Sequence, residues 1–156
     1  MKATPGKSVD LVQFVVHGVP APQAGTRSVP TRDGRRQIST GGVELASWRA
    51  ECASAAGLAR FQHRGVCFDE PITVQAHFRF PMPPSRPRWM RDLCDYPKAT
   101  QPDLDKLQRA LGDALKSGGL IRDDSIIVEW RASKTEVWQQ WTGVAVLIKT
   151  LSEDDE

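Results

Sequence analysis

The chain has 156 residues, of which 40% are hydrophobic and 26% are charged, proportions typical of a soluble globular protein. This length favours a single domain whose core needs no disulfide or metal to fold. No run approaches the ~20 apolar residues of a membrane span, and the N-terminus lacks a hydrophobic signal segment. We therefore expect a soluble cytoplasmic protein that makes no membrane contact.

The net charge of +2 hides an uneven distribution. Residues 153–156 are all acidic, so residues 1–152 carry +6, the same as residues 1–100 alone. A basic body favours a polyanionic partner, whereas an acidic tail would repel phosphate. We expect one domain over residues 1–152 and a solvated tail over 153–156.

The three cysteines, Cys52, Cys67 and Cys94, form no C-x-x-C pair, and the three histidines show no zinc-ligand spacing. This pattern predicts unpaired thiols in a reducing cytoplasm and no structural zinc.

In chain order, the first predicted element is a strand over 9–17, rich in Val and Phe. Residues 18–43 contain several Gly, Pro and Arg residues and predict a long, basic, irregular loop. A helix is expected over 43–60 and a strand over 72–80, where apolar residues alternate with polar ones. Residues 81–100 hold five prolines and predict a second irregular basic stretch.

The clearest predicted element is a helix that begins near Leu104, with leucines at three- and four-residue steps. Asp103 is a candidate N-cap, and Gly118-Gly119 supplies the helix stop. Strands are expected over 125–137 and 144–148. Together these elements predict a single α+β domain.

Asp103 and Asp105 stand where this helix begins. Two carboxylates there are favoured by the helix dipole, so capping alone could explain them at about 0.3–1 kcal/mol each. A second pair, Asp123-Asp124, precedes the next strand. If helix and strand pack antiparallel, the two pairs start roughly 18 Å apart. They meet only if residues 118–122 double back, or if a second subunit supplies the second pair.

Clustered carboxylates without His or Cys ligands favour a hard ion, Mg²⁺ or Mn²⁺. Arg109 follows Asp105 by four residues and so shares its helical face, where it could contact a phosphate. The alternative for Arg109 is a surface ion pair with Asp105.

Two segments, PDLDKLQRALGDAL (102–115) and GLIRDDSIIVE (119–129), resemble the RusA family of Holliday-junction resolvases. Residues 16–22 with Arg27, residues 78–85 and Lys134 are similar to further family segments. The resemblance thus extends over most of residues 9–149.

This resemblance implies a RusA-like fold, with a small mixed β-sheet packed against two main helices. It also implies a homodimeric, Mg²⁺-dependent endodeoxyribonuclease that resolves Holliday junctions and related branched DNA by paired phosphodiester hydrolysis, without a nucleotide cofactor. Such proteins act in DNA recombination and repair, in bacteria or phage-infected host cells, and are often encoded by phages. The metal residues carry over to Asp103, Asp105 and Asp124, with Asp123 as a helper.

Two positions depart from the family pattern. Lys106 replaces the usual Asn, and Arg109 replaces the catalytic Lys. Arginine keeps the positive charge but cannot give up a proton, so electrostatic stabilisation is the role expected of Arg109. Asp113 also matches the family, but its place on the helix body favours a structural or surface role.

Basic residues of the two irregular stretches, and two others, are the candidates for DNA contact. They are Arg27, Arg86, Arg88, Arg91, Lys98, Lys106 and Lys134. Trp89 or Tyr96 could stack on an unpaired base, whereas Trp130, Trp138 and Trp141 are expected in the core or a dimer interface.

Two other functions stay open. One is a non-catalytic protein that binds branched DNA on the same fold, for which the changes at Lys106 and Arg109 are the support. The other is a metal-dependent phosphohydrolase that acts on small phosphate esters.

Overall fold

The structure is a computed structural model that describes residues 9–23, 27–30, 36–39, 42–93 and 95–151, with the backbone alone for 27–30 and 36–39. The predicted acidic tail, Cys94 and the side chain of Arg27 therefore lie outside the described residues.

A five-stranded mixed sheet forms the centre of the molecule. Its strands are β1 (Leu11–His17), β4 (Ile72–Pro81), β5 (Tyr96–Pro97), β6 (Ile127–Val137) and β7 (Gly143–Thr150). They lie in the order β1-β7-β4-β6-β5, with β4 and β6 parallel and the other neighbours antiparallel. Two long helices, α1 (Val43–Gln62) and α3 (Leu104–Ser117), pack on each other, α1 also contacting β1 and α3 contacting β6. The predicted α+β class, a mixed sheet with two main helices, is confirmed.

The sheet buries one face because apolar residues alternate along the strands. The register pairs Val12 with Ile148 and Ile148 with Val74, and it pairs Val144 with both Val16 and Phe78. All six side chains are buried in the core. α1 adds Trp48 and Cys52, and α3 adds its four-residue leucine repeat.

Both stretches predicted to be irregular contain short regular elements. Within 18–43, β2 (Arg27–Pro30) and β3 (Arg36–Ser39) form a separate antiparallel pair. Within 81–100 lie α2 (Arg88–Arg91) and β5, which pairs with β6. The prediction of structureless loops was wrong here. β5 depends on pairing with a distant strand, which local propensity does not reveal, whereas β2–β3 and α2 are short local elements.

The strand predicted from Ser125 begins two residues later, after a 3₁₀ turn over Asp124–Ile126. Burial raises the pKa of the Cys52 thiol to about 12, so this thiol stays protonated and unreactive. In the described part of the chain, no helix combines the length and apolarity that a membrane crossing requires.

Candidate functional site

An open cavity of about 540 Å³ runs along α3 and is called the acidic cavity below. The helix supplies one wall, the 3₁₀ turn and the start of β6 supply another, and the loop after β1 closes one side. The lining residues are Gln23, Asp105, Gln108, Arg109, Gly112, Asp113, Asp124, Ile127 and Trp130.

Asp105 and Arg109 lie one helical turn apart and both line the acidic cavity. Both side chains are exposed. A carboxylate and a guanidinium therefore face the same solvent-filled space, as their four-residue spacing predicts.

Asp124 reaches this cavity because the chain turns back after α3. Leu120 N–H donates to the carbonyl of Leu115 at 3.1 Å, which reverses the chain direction. A Cβ atom placed on Gly112 would lie 3.9 Å from the Cβ of Asp124, so Asp124 stands beside the middle of the helix. A single chain thus brings Asp105 and Asp124 to one cavity, without a carboxylate from a second subunit.

Asp123 is not among the residues that line the acidic cavity. Ser125 Oγ donates to its Oδ2 at 2.6 Å, and Lys116 Nζ lies 2.9 Å from its Oδ1. These two contacts, Ser125 first, hold the pKa of the Asp123 carboxyl well below its ordinary 3.8. Both oxygens are engaged by the protein, so a role as metal helper would require Asp123 to leave these partners.

Asp103 lies at the N-cap position of α3 but faces a different space. It lines a larger groove of about 1140 Å³ next to the acidic cavity, together with Lys98 and Lys106. Its carboxylate makes no capping hydrogen bond within the described chain and lies 3.5 Å from Lys106 Nζ. The side chain of Asp103 thus does not cap the helix; it is exposed and pairs with Lys106.

The predicted set of four carboxylates is therefore divided: two line the acidic cavity, Asp103 lines the neighbouring groove, and Asp123 lines neither space. Among the described residues, no three His, Cys, Asp or Glu side chains come close enough to hold a metal ion by themselves. Mg²⁺ usually keeps several waters and takes one or two carboxylates plus substrate phosphate oxygens. The pair Asp105 and Asp124 fits that donor set.

Asp113 lines the acidic cavity and also contacts Arg49 of α1. Its carboxylate lies 3.7 Å from the guanidinium of Arg49, and its side chain is half-buried. This contact agrees with the structural or surface role expected of Asp113, although the residue also lines the cavity.

Three residues expected to bind DNA have partners inside the protein. Arg86 donates from Nε and from a terminal nitrogen to the two oxygens of Glu136, at 3.0 and 2.9 Å, and Lys98 Nζ lies 3.3 Å from Glu136 Oε1. Lys134 Nζ donates to the carbonyls of Thr100 and Pro102. Arg86 and Lys98 lower the pKa of buried Glu136 from its ordinary 4.5. The binding of Arg86, Lys98 and Lys134 to DNA stays a prediction. The structure shows that each of them also holds other parts of the protein in place.

Arg91, like the three residues above, has partners inside the protein, whereas Arg88 is exposed at the surface. Arg91 donates to the carbonyls of Arg86 and Pro84, and its guanidinium stacks on Trp138, 4.7 Å from the ring centre. Arg88 is exposed on α2 and is the more accessible of the two.

The aromatic residues fall into two groups. Trp89 is 59% exposed and meets the ring of Tyr96 edge-on at 5.9 Å, which leaves surface for a stacked base. Trp130 packs on the core and lines the acidic cavity. Trp141 is 38% exposed and stacks with Arg79, so it lies at the surface rather than in the core of this chain.

Gln23, Gln108 and Glu136 were missed by sequence reasoning. Gln23 N–H donates to the carbonyl of Lys106 at 3.0 Å, which ties the loop after β1 to α3. A carboxylate late in a strand, such as Glu136, reads as a solvated surface group in the sequence. Glu136 is six positions after Trp130 on the same strand. This even spacing puts both side chains on one face and was the one signal in the sequence that Glu136 faces inward.

An α+β domain that gathers carboxylates and an arginine at one open cavity has the chemistry of a protein that handles phosphate groups. The family model for endodeoxyribonuclease RusA matches residues 20–149. The chain therefore belongs to the RusA endodeoxyribonuclease family, which confirms the resemblance noted from its motifs. A comparison with curated proteins found no match.

Proposed function

We propose that the protein is a Mg²⁺-dependent endodeoxyribonuclease that resolves Holliday junctions and related branched DNA. The observation that carries this proposal is the meeting of Asp105, Arg109 and Asp124 at one open cavity in a chain of an endodeoxyribonuclease family.

Asp105 and Asp124 would hold the ion, with Asp103 at the neighbouring groove as a further carboxylate. Mg²⁺, or Mn²⁺ in its place, polarises phosphoryl oxygen and lowers the pKa of bound water. The two aspartates stand on different elements, α3 and the 3₁₀ turn. The cavity that they both line is open to solvent and has a volume of about 540 Å³.

Arg109 would bind the non-bridging oxygens of that phosphate. Its guanidinium offers paired N–H donors and a permanent charge, so it stabilises the negative charge that grows during hydrolysis. It cannot act as a proton donor at neutral pH. The proton for the leaving oxygen must therefore come from water or another group.

A four-way junction has approximate two-fold symmetry and needs two matched nicks. One chain offers one acidic cavity, so paired incision calls for a homodimer with two-fold symmetry. The exposed Arg88 and Trp89 on α2 are suited to contact phosphate and an unpaired base.

The proposal is tested with Asp124→Asn and a matched control, Glu129→Gln, which makes the same carboxylate-to-amide change on β6. We expect Asp124→Asn to bind a labelled four-way junction like the wild type but to lose more than about 100-fold of its Mg²⁺-dependent cleavage rate. Glu129→Gln should cleave normally, and mapping of the wild-type products should show two symmetric nicks. Unchanged cutting by both Asp124→Asn and Asp105→Asn would contradict the proposal.

A second candidate is a non-catalytic protein that binds branched DNA. It is favoured by the division of the carboxylates between two spaces and by the arginine at position 109. Binding of the junction by wild-type protein without any nick in Mg²⁺ or Mn²⁺ would select it.

A further inference from the structure

β6 carries two charged side chains on the face of the sheet that contributes to the core. The register places Lys134 beside Phe78 and Glu136 beside Phe80, and both phenylalanines are buried. Paired residues of neighbouring strands point to the same face of a sheet. Lys134 and Glu136 therefore point inward, where a charge without partners would be costly.

The partners of Lys134 come from the segment that leads into α3, as does Lys98, one of the two partners of Glu136. Lys134 Nζ donates to the carbonyls of Thr100 at 2.7 Å and Pro102 at 2.8 Å. On the same segment, Lys98 N–H donates to the carbonyl of Lys134 at 3.1 Å, and Lys98 Nζ donates to Thr100 Oγ1 at 3.0 Å. Residues 98–102 are thus held on β6 through both backbone and side chains.

The last carbonyl that Lys134 holds, that of Pro102, directly precedes Asp103. The Asp103 carbonyl in turn accepts the N–H of Leu107 at 3.2 Å, in the first turn of α3. The position of the Pro102 carbonyl therefore sets the direction in which α3 starts. The positions of Asp103 and Asp105 follow from that direction.

We propose that Lys134 is a positioning residue of the candidate catalytic centre: by binding the carbonyls of Thr100 and Pro102, it sets the start of α3 and so the two aspartates. The inference rests on the proposed function. It gives Lys134 a role separate from contact with DNA phosphate, since two donors of the ammonium already bind carbonyls of the protein.

The test compares Lys134→Met, which keeps an unbranched apolar side chain, with Arg131→Met on the opposite face of the same strand. We expect Lys134→Met to need at least about 10-fold more Mg²⁺ than the wild type for half-maximal junction cleavage. Loss of a group that orients metal ligands typically weakens metal affinity by about this factor. Its junction affinity without metal should stay within about two-fold of the wild type. Amide hydrogen exchange over residues 98–107 should become faster, and Arg131→Met should resemble the wild type in all three measurements.

Lys134→Arg keeps the charge with a different donor geometry, so it should recover part of the Mg²⁺ dependence. If Lys134→Met does not fold, the same three measurements are made on Lys134→Arg instead. Unchanged exchange over 98–107 would overturn the inference, as would a loss of junction affinity with normal Mg²⁺ dependence, which would make Lys134 a DNA contact. If the wild type does not cleave junctions at all, the proposed function fails, while the exchange measurement still tests the placement of the segment by Lys134.

Discussion

At position 112 of α3 a glycine faces the residues that enter the acidic cavity from the other wall. A Cβ atom there would lie 3.7 Å from the Trp130 ring and 3.9 Å from the Cβ of Asp124. The contact distances would accommodate a methyl group, but a longer side chain would occupy the space of Asp124. The 3₁₀ turn therefore approaches α3 closely enough to exclude a large side chain at position 112, while alanine would still fit.

Substitutions of Arg109 test whether its positive charge contributes to cleavage. We expect Arg109→Lys to remain active, because the positive charge persists beside the phosphate. Arg109→Ala should lose roughly 100-fold or more of the cleavage rate, the usual cost of removing one group that stabilises developing charge. Single-turnover cleavage of a four-way junction in Mg²⁺ measures both.

The control for Arg109 is Arg122→Ala, an exposed arginine that does not line the acidic cavity. It should cleave at the wild-type rate. Wild-type turnover of Arg109→Ala would remove Arg109 from the mechanism and leave the two aspartates as its basis.

At the scale of elements, the contact between α1 and α3 depends on small residues. A Cβ atom on Gly118, at the end of α3, would lie 2.5 Å from the carbonyl oxygen of Ala53 and 2.8 Å from the Cβ of Ala56. Backbone and side chain of α1 thus leave no room for a methyl group. This close approach holds α3 on α1 at the point where the chain turns back toward Asp124.

Gly118→Ala should therefore destabilise the protein by about 1–3 kcal/mol, since the added methyl group must push the two helices apart. Gly112→Ala is the matched control on the same helix. Its Cβ atom meets ordinary contact distances, so helix propensity should leave it neutral or more stable by up to about 1 kcal/mol. Urea unfolding measures both free energies, and equal stability of the two variants would contradict this account of the packing.

For the whole molecule, the ion pairs of Glu136 link the 81–103 segment to the central sheet. Glu136 is 1% exposed, and Arg86 and Lys98 both reach it from that segment. Because these cations lower the pKa of Glu136 in the folded state, the folded protein favours the ionised form. Its contribution to stability is present above the ordinary pKa of 4.5 and is lost as the pH falls through the lowered value.

Glu136→Gln should accordingly lower the free energy of unfolding by about 2 kcal/mol at pH 7. The difference from the wild type should shrink as unfolding is measured below pH 4.5, where Glu136 protonates in the unfolded chain, and should be lost once the pH passes the lowered pKa of the folded state. Glu129→Gln removes an exposed pair with Arg131 and should cost less than about 0.5 kcal/mol at either pH. A difference between Glu136→Gln and the wild type that does not change with pH would show that Glu136 acts through shape rather than charge.

The sequence by itself determined the elements whose signal is local. The leucine spacing of α3, the alternation along β4 and the two aspartate motifs depend on residues a few positions apart, so they predicted the α+β class, the helix start at Leu104 and the family. The same local spacing placed Asp105 and Arg109 on one helical face.

Only the tertiary structure decided which charged residues face the cavity and which support it. Asp124 lines the acidic cavity while Asp123 pairs with Lys116, and Asp103 faces the neighbouring groove. Arg86, Lys98 and Lys134, all basic residues expected at the DNA surface, contact groups between 32 and 50 positions away in the chain. Such contacts depend on the register of the parallel pair β4–β6 and on the turn after α3, which long-range packing sets and local residue patterns do not encode.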